Sequence, residues 1–108
     1  MNRFFEIRRY RTPNNKVPIS DWIHELDNVE AARIMAHIDR IKTGNFGNSR
    51  SVGGGVSELK INFGPGYRVY YLRDGGAVVI LLCGGDKGSQ ATDILRAQRY
   101  AEDYWRQK

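Results

Sequence analysis

Between Glu58 and Tyr71 the chain reads ELKINFGPGYRVYY, a stretch that restricts the fold more than any other. Leu59, Ile61 and Phe63 alternate with Glu58, Lys60 and Asn62, the period-2 pattern of a strand with one buried and one wet face. Beyond Gly64, Pro65 and Gly66, Val69 and Tyr71 alternate with Arg68 and Tyr70. A three-residue loop sets Phe63 opposite Tyr67, Asn62 opposite Arg68 and Lys60 opposite Tyr70, and it gathers the polar members on one face. A two-residue loop sets Lys60 opposite Val69 and mixes the faces, as a one-residue slip always does. The sorted register predicts a sheet face on which Lys60, Asn62, Arg68 and Tyr70 are neighbours, roughly 5 Å apart across strands. It also predicts two adjacent cations without an acidic partner, a repulsion that a visiting anion relieves.

The rest of the chain supplies elements around this hairpin. Residues 3–10 (RFFEIRRY) predict a strand with Phe5 and Ile7 on one side, followed by a turn at Thr12, Pro13, Asn14 and Asn15. From Pro18, a residue suited to a first helical turn, Ile19, Trp22, Ile23 and Leu26 recur at helical spacing. Asp27 or Asn28 can cap a second helix that carries Ala31, Ile34, Met35, Ile38 and Ile41 as its stripe and stops near Thr43 and Gly44. Residues 45–55 (NFGNSRSVGGG) predict a loop that ends in a turn or bulge, or in a short irregular strand. After the turn Arg73-Asp74-Gly75-Gly76, the run AVVILLC at 77–83 lacks polar alternation and predicts a central strand covered on both faces. A last helix carries Ile94, Ala97, Ala101, Tyr104 and Trp105 as its buried stripe. The fold class that follows is α+β, a mostly antiparallel sheet with an N-terminal helix pair and a C-terminal helix. The helices are expected on one face, leaving open the face that carries Lys60 and Arg68.

At 108 residues one domain with a modest core is expected. Seventeen Lys and Arg against twelve Asp and Glu give a net charge of +5, and a basic surplus points to a polyanion, nucleic acid before membrane. The lone Cys83 rules out a disulfide framework and fits a reducing cytoplasm. The N-terminus lacks the apolar core of a signal peptide, and no stretch approaches the roughly 18 apolar residues of a membrane span. His24 and His37 have no metal-ligand spacing and no Cys partner. Cys83 is flanked by apolar residues, and no serine sits in a GxSxG elbow. Metal, thiol and acyl-transfer chemistry therefore have no support.

What remains is Lys60, Arg68 and Lys87, each alone an ordinary surface cation. Lys87 lies in GGDKGSQ at the start of the last helix, where backbone donors and a partial positive charge favour anions. Glycines 84, 85 and 88 allow close approach to a ligand. Together the three cations outline a phosphate site in which Arg68 holds a phosphodiester bidentately. Lys60 is the candidate proton acceptor, and Tyr70 is placed to stack on a base or to donate a hydrogen bond. Arg50, Arg73 and the group Arg3, Arg8, Arg9 and Arg11 are candidates for steering nucleic acid.

GVSELKINFGPGYRVYY, the following glycine pair with its apolar strand, and LLCGGDKGSQATDI resemble the RelE/ParE superfamily of bacterial toxins. The nearest branch is the HigB-like group known as addiction module killer proteins, and the likeness extends from WIHEL to YAEDYW. The resemblance implies the toxin of a type II toxin–antitoxin module, an mRNA interferase that cuts messenger RNA on the ribosome without a metal or other cofactor. In that scheme Lys60 is the base, Arg68 stabilises the phosphorane, and Lys87 is the acid or a second stabiliser. Asn62, Tyr70, Arg50, Arg73 and Ser89 are the expected RNA contacts. The partners implied are a cognate antitoxin, often with a helix-turn-helix domain, operator DNA through that antitoxin, and no membrane. The chain departs from the RelE pattern at Asn62, where a basic residue is usual, and at Asp93, near which a catalytic tyrosine is usual. ParE-like members use the same fold to inhibit DNA gyrase without catalysis, which is the alternative expectation.

Overall fold

The computed structural model of the protein describes residues 4–108. Arg3 lies outside them. The elements in order are β1 (Glu6–Arg9), α1 (Pro18–Glu25), α2 (Asn28–Lys42), β2 (Asn48–Gly53), β3 (Val56–Ile61), β4 (Tyr67–Asp74), β5 (Val78–Asp86) and α3 (Gln90–Gln107). They form one five-stranded sheet in the order β1-β5-β4-β3-β2. Every pairing is antiparallel except β1 with β5. The α+β class is as expected from the sequence, and β5 is an interior strand with both faces covered.

The helix boundaries follow from local chemistry. Pro18 opens α1. Asp27 caps α2 by accepting from the Glu30 amide, while the Glu30 side chain accepts from the Asp27 amide, a reciprocal box that satisfies two end donors. Glu30 also accepts from the Tyr67 hydroxyl and so ties α2 to the start of β4. Gly44, at φ +89°, takes the chain out of α2.

The expectation that all helices share one face is corrected. Ile19, Ile23, Ile34, Ile38 and Ile41 of α1 and α2 pack with Leu59, Ile61, Val69, Tyr71, Val79 and Leu81. Ala97 and Ala101 of α3 pack on the other side with Val56, Tyr70, Leu72, Ile80, Leu82 and Cys83. An amphipathic helix shows that it has a buried side, but its pattern is equally satisfied by either apolar face of a two-faced sheet. Ile94 and Tyr104 join that second core, whereas Trp105 remains 45% exposed beside Tyr104 and Lys108.

The central hairpin has the expected sorting of faces but a register displaced by two residues. Lys60 stands opposite Arg68, Ile61 opposite Tyr67 and Glu58 opposite Tyr70. The connection is therefore five residues, Asn62 to Gly66. Phe63 folds into a turn in which the Gly66 amide donates to its carbonyl at 3.0 Å. Its ring packs edge-on against Tyr67 at 5.2 Å and lies beneath the Arg33 guanidinium at 5.0 Å. That packing removes Phe63 and Asn62 from the ladder. The even displacement leaves every side chain on its expected face.

Residues 48–53 form a six-residue edge strand where the sequence predicted a loop with at most a short irregular strand. Gly53, Gly54 and Gly55, all with positive φ, make the predicted turn and bulge into β3.

Candidate phosphate-binding site

Two rungs of the sheet carry the site. One runs Asn48–Lys60–Arg68–Gly85 across β2, β3, β4 and β5, and the next runs Arg50–Glu58–Tyr70–Cys83. Both rungs face the α3 side. The first turn of α3 covers their β5 end, and Gln90 reaches over to donate to Glu58 Oε2 at 2.9 Å. Asn48, Arg50, Glu58, Lys60, Arg68 and Gln90 enclose an open pocket of about 380 Å³.

Glu58 is the residue that sequence reasoning passed over. Its oxygens also accept from Arg50 Nε at 3.1 Å and from the Tyr70 hydroxyl at 3.1 Å. Arg68 Nε lies 4.0 Å from Oε2. Burial raises the pKa of this carboxyl, but the hydrogen bonds from Gln90, Arg50 and Tyr70 outweigh it and hold Glu58 below the usual carboxylate range. The expected cation pair without an acidic partner is thus corrected: Arg68 has a buried, ionised neighbour. Period-2 counting already put Glu58 on the face of Lys60. The missing information was depth, since only a structure shows that Glu58 lies beneath the pocket instead of in solvent.

Arg68 itself is 4% exposed. Its Nη1 donates to the Gly66 carbonyl at 2.7 Å, and its buried Nε has no hydrogen-bond partner. Gly66, at φ +81°, is needed here: a Cβ would sit 3.2 Å from Nη1 and 3.8 Å from the Lys87 Cβ. The Lys87 Cβ is therefore close to Gly66, and Lys87 does not line the pocket. Lys60 is exposed and, among the described residues, has no carboxylate within 4 Å. The pocket holds three cations, Arg50, Lys60 and Arg68, against the one carboxylate of Glu58. Such an arrangement retains net positive charge and a rigid guanidinium at its floor, which suits a phosphate group.

The remaining expected contacts divide clearly. Arg50 lines the pocket. Asn62 lies in the exposed β3–β4 connection, outside that pocket. Tyr70 cannot stack on a base, because it is fully buried and hydrogen-bonded to Glu58. Burial, reinforced by Glu58, pushes its phenol far above the ordinary value, so it is also a poor proton donor. Arg73 is on the opposite face, stacked over Phe5 and Phe46 at 5.0 and 4.9 Å. Ser89 is engaged within the chain, donating to Asp93 Oδ2 at 2.5 Å. Arg8 pairs with Glu6, and Arg9 donates to Ser20 at 2.6 Å, both on β1 and far along the sheet order from β2.

The helix-start reading of GGDKGSQ is corrected too. The amides of Gly88 and Ser89 already donate to Asp86 Oδ1, at 2.8 and 3.2 Å. The anion at this turn is the chain's own. Gly84 and Gly85 serve packing: an added Cβ would meet the Trp22 ring at 2.2 Å on one face and Asp93 Oδ2 at 1.8 Å on the other. Burial raises the Cys83 thiol to about 11, consistent with a core residue. Among the described residues no cluster of His, Cys, Asp and Glu could hold a metal, and no helix is long and apolar enough to cross a membrane.

A family model described as phage derived protein Gp49-like matches residues 21–102, a span that contains Arg50, Glu58, Lys60, Arg68 and Lys87. An uncharacterized protein of Haemophilus influenzae is 48% identical over 83 residues, covering 76% of this chain and 84% of the relative. No solved structure matches the chain.

Proposed function

From the premise that the chain belongs to the Gp49-like family of phage-derived proteins, we propose that it is the toxin of a type II toxin–antitoxin pair. Its activity in this reading is that of an endoribonuclease cutting messenger RNA on the ribosome. The observation that carries the reading is the direct pairing of Lys60 with Arg68 in an open pocket whose cations outnumber its carboxylate. A single buried Arg–Glu pair serves structure alone. Arg50 and Lys60 added around it, with Lys87 adjacent, give the surplus that a phosphodiester would neutralise.

In the proposed reaction Arg68 holds the scissile phosphate, and its charge stabilises the dianionic phosphorane. Glu58 and the Gly66 carbonyl fix the guanidinium plane. Lys60, having first released its own proton to solvent, takes the proton of the neighbouring 2′-OH as the neutral amine while that oxygen bonds to phosphorus. The bond from phosphorus to the 5′-oxygen then breaks, with Lys87 supplying the proton to the leaving alkoxide. The products are a 2′,3′-cyclic phosphate and a 5′-hydroxyl. Tyr70 and Ser89 have no part, because the chain's own groups occupy them.

Induction in a bacterial host tests this function. Translation is expected to stop first, with messages cut at defined sites and chromosomal DNA intact. Co-expression of the cognate antitoxin is expected to restore growth. DNA breaks appearing while messages remain whole would overturn the nuclease reading in favour of a gyrase inhibitor on the same fold.

A further inference from the structure

A second pocket, of about 290 Å³, opens where β3 runs past the end of β2. Its wall on the helical side is Arg33, His37 and Arg40, positions i, i+4 and i+7 that share one face of α2. Asn48 and Lys60 border both this pocket and the one over Arg68. The two are thus contiguous around a single lysine. No acidic residue lines the second pocket. Among the described residues neither Arg33 nor Arg40 has a carboxylate within 4 Å. The Arg33 guanidinium is held over Phe63 at 5.0 Å, and His37 Nδ1 donates to the Arg33 carbonyl at 2.9 Å. Arg33 and His37 are therefore anchored on the chain, and the Arg33 side chain stays exposed.

We infer that this pocket is a second phosphate-binding subsite, which takes the backbone of a single-stranded RNA flanking the nucleotide held at Arg68. The inference rests on the proposed nuclease reading and extends it from one phosphate to a track across Lys60. A strand that occupies both pockets neutralises cations on α2 as well as on the sheet. A dinucleotide reaches only the first.

The test is the salt dependence of binding, measured by fluorescence anisotropy with 2′-O-methyl RNAs that cannot be cut, an octanucleotide and a dinucleotide. Each phosphate contact on a single strand contributes about 0.7 to the slope of log affinity against log salt. The double variant Arg33→Ala/Arg40→Ala is expected to lower the octanucleotide slope by about 1.4 and to leave the dinucleotide slope as in the parent. Circular dichroism on the same samples reports whether the fold is retained, and Arg33→Lys/Arg40→Lys, which keeps the charges, is expected to preserve the slope. An octanucleotide slope unchanged in the Ala variant, while Arg68→Ala lowers it, would overturn the second subsite alone. Failure of the parent protein to bind the octanucleotide would overturn the subsite, whereas the function on which it rests is overturned separately, by uncut ribosome-bound messenger RNA.

Discussion

Glu58 lies beneath Arg68, with its Oε2 4.0 Å from the guanidinium Nε, and both side chains are almost wholly buried. The same carboxylate also accepts from Arg50, Tyr70 and Gln90. It joins β2, β3, β4 and α3 beneath one pocket, so Arg68 lines that pocket from a fixed, buried position.

Glu58→Ala would leave a buried guanidinium and a buried phenol without their shared partner. Breaking a buried pair from one side is destabilising on the order of 3–5 kcal/mol, measurable by urea denaturation. Loss of less than about 1 kcal/mol would mean that the carboxylate is no more than a surface partner.

Glu58→Gln isolates the charge. Because the folded-state pKa of Glu58 lies below its ordinary value, the ionised carboxylate stabilises the fold above the unfolded-state pKa. That stabilisation is lost as pH falls through the lower folded-state value. The parent protein is therefore expected to lose Tm more steeply than Glu58→Gln as pH falls from 6 towards 3. Parallel Tm curves would show that the charge contributes nothing.

Glycines 84 and 85 are expected to tolerate no side chain. Gly85→Ala would drive a methyl into Asp93 and Gly84→Ala into the Trp22 ring. Each is expected to destabilise by about 3 kcal/mol or more through overpacking, whereas Gly88→Ala, with 3.2 Å to Asp86 Oδ1, stays within roughly 0.5 kcal/mol of the parent. Thermal melts of the three variants decide between packing and ligand approach as the role of the pair.

Lys60→Arg separates proton transfer from charge. Arginine keeps the cation but does not give up its proton in this range. Message cleavage is expected to fall with Lys60→Arg nearly as far as with Lys60→Ala, on the order of 10²–10⁴. Activity within a few-fold of the parent would make Lys60 a phosphate anchor instead of a base.

How much of this was legible beforehand differs from residue to residue. Parity alone put Glu58, Lys60, Arg68 and Tyr70 on one face, since the side-chain period of a strand is 2 and survives a two-residue displacement. The displacement itself was not legible, because it depends on Phe63 finding Tyr67 and Arg33 across space. The strand Asn48–Gly53 is polar and mostly exposed, so it carries no hydrophobic alternation to read. The placement of α3 opposite α1 and α2 depends on which of two apolar sheet faces each helix covers, and its own stripe fits either. That single choice buried Tyr70 and turned it from an expected base contact into a support for Glu58.

The most direct measurement is the cleavage rate of ribosome-bound messenger RNA by purified parent protein, Lys60→Ala and Arg68→Ala, with melts confirming that all three are folded. Both variants are expected to lose on the order of 10²–10⁴ in rate. Cleavage by either folded variant at the parental rate would contradict the assignment of the paired lysine and arginine as the centre of the chemistry.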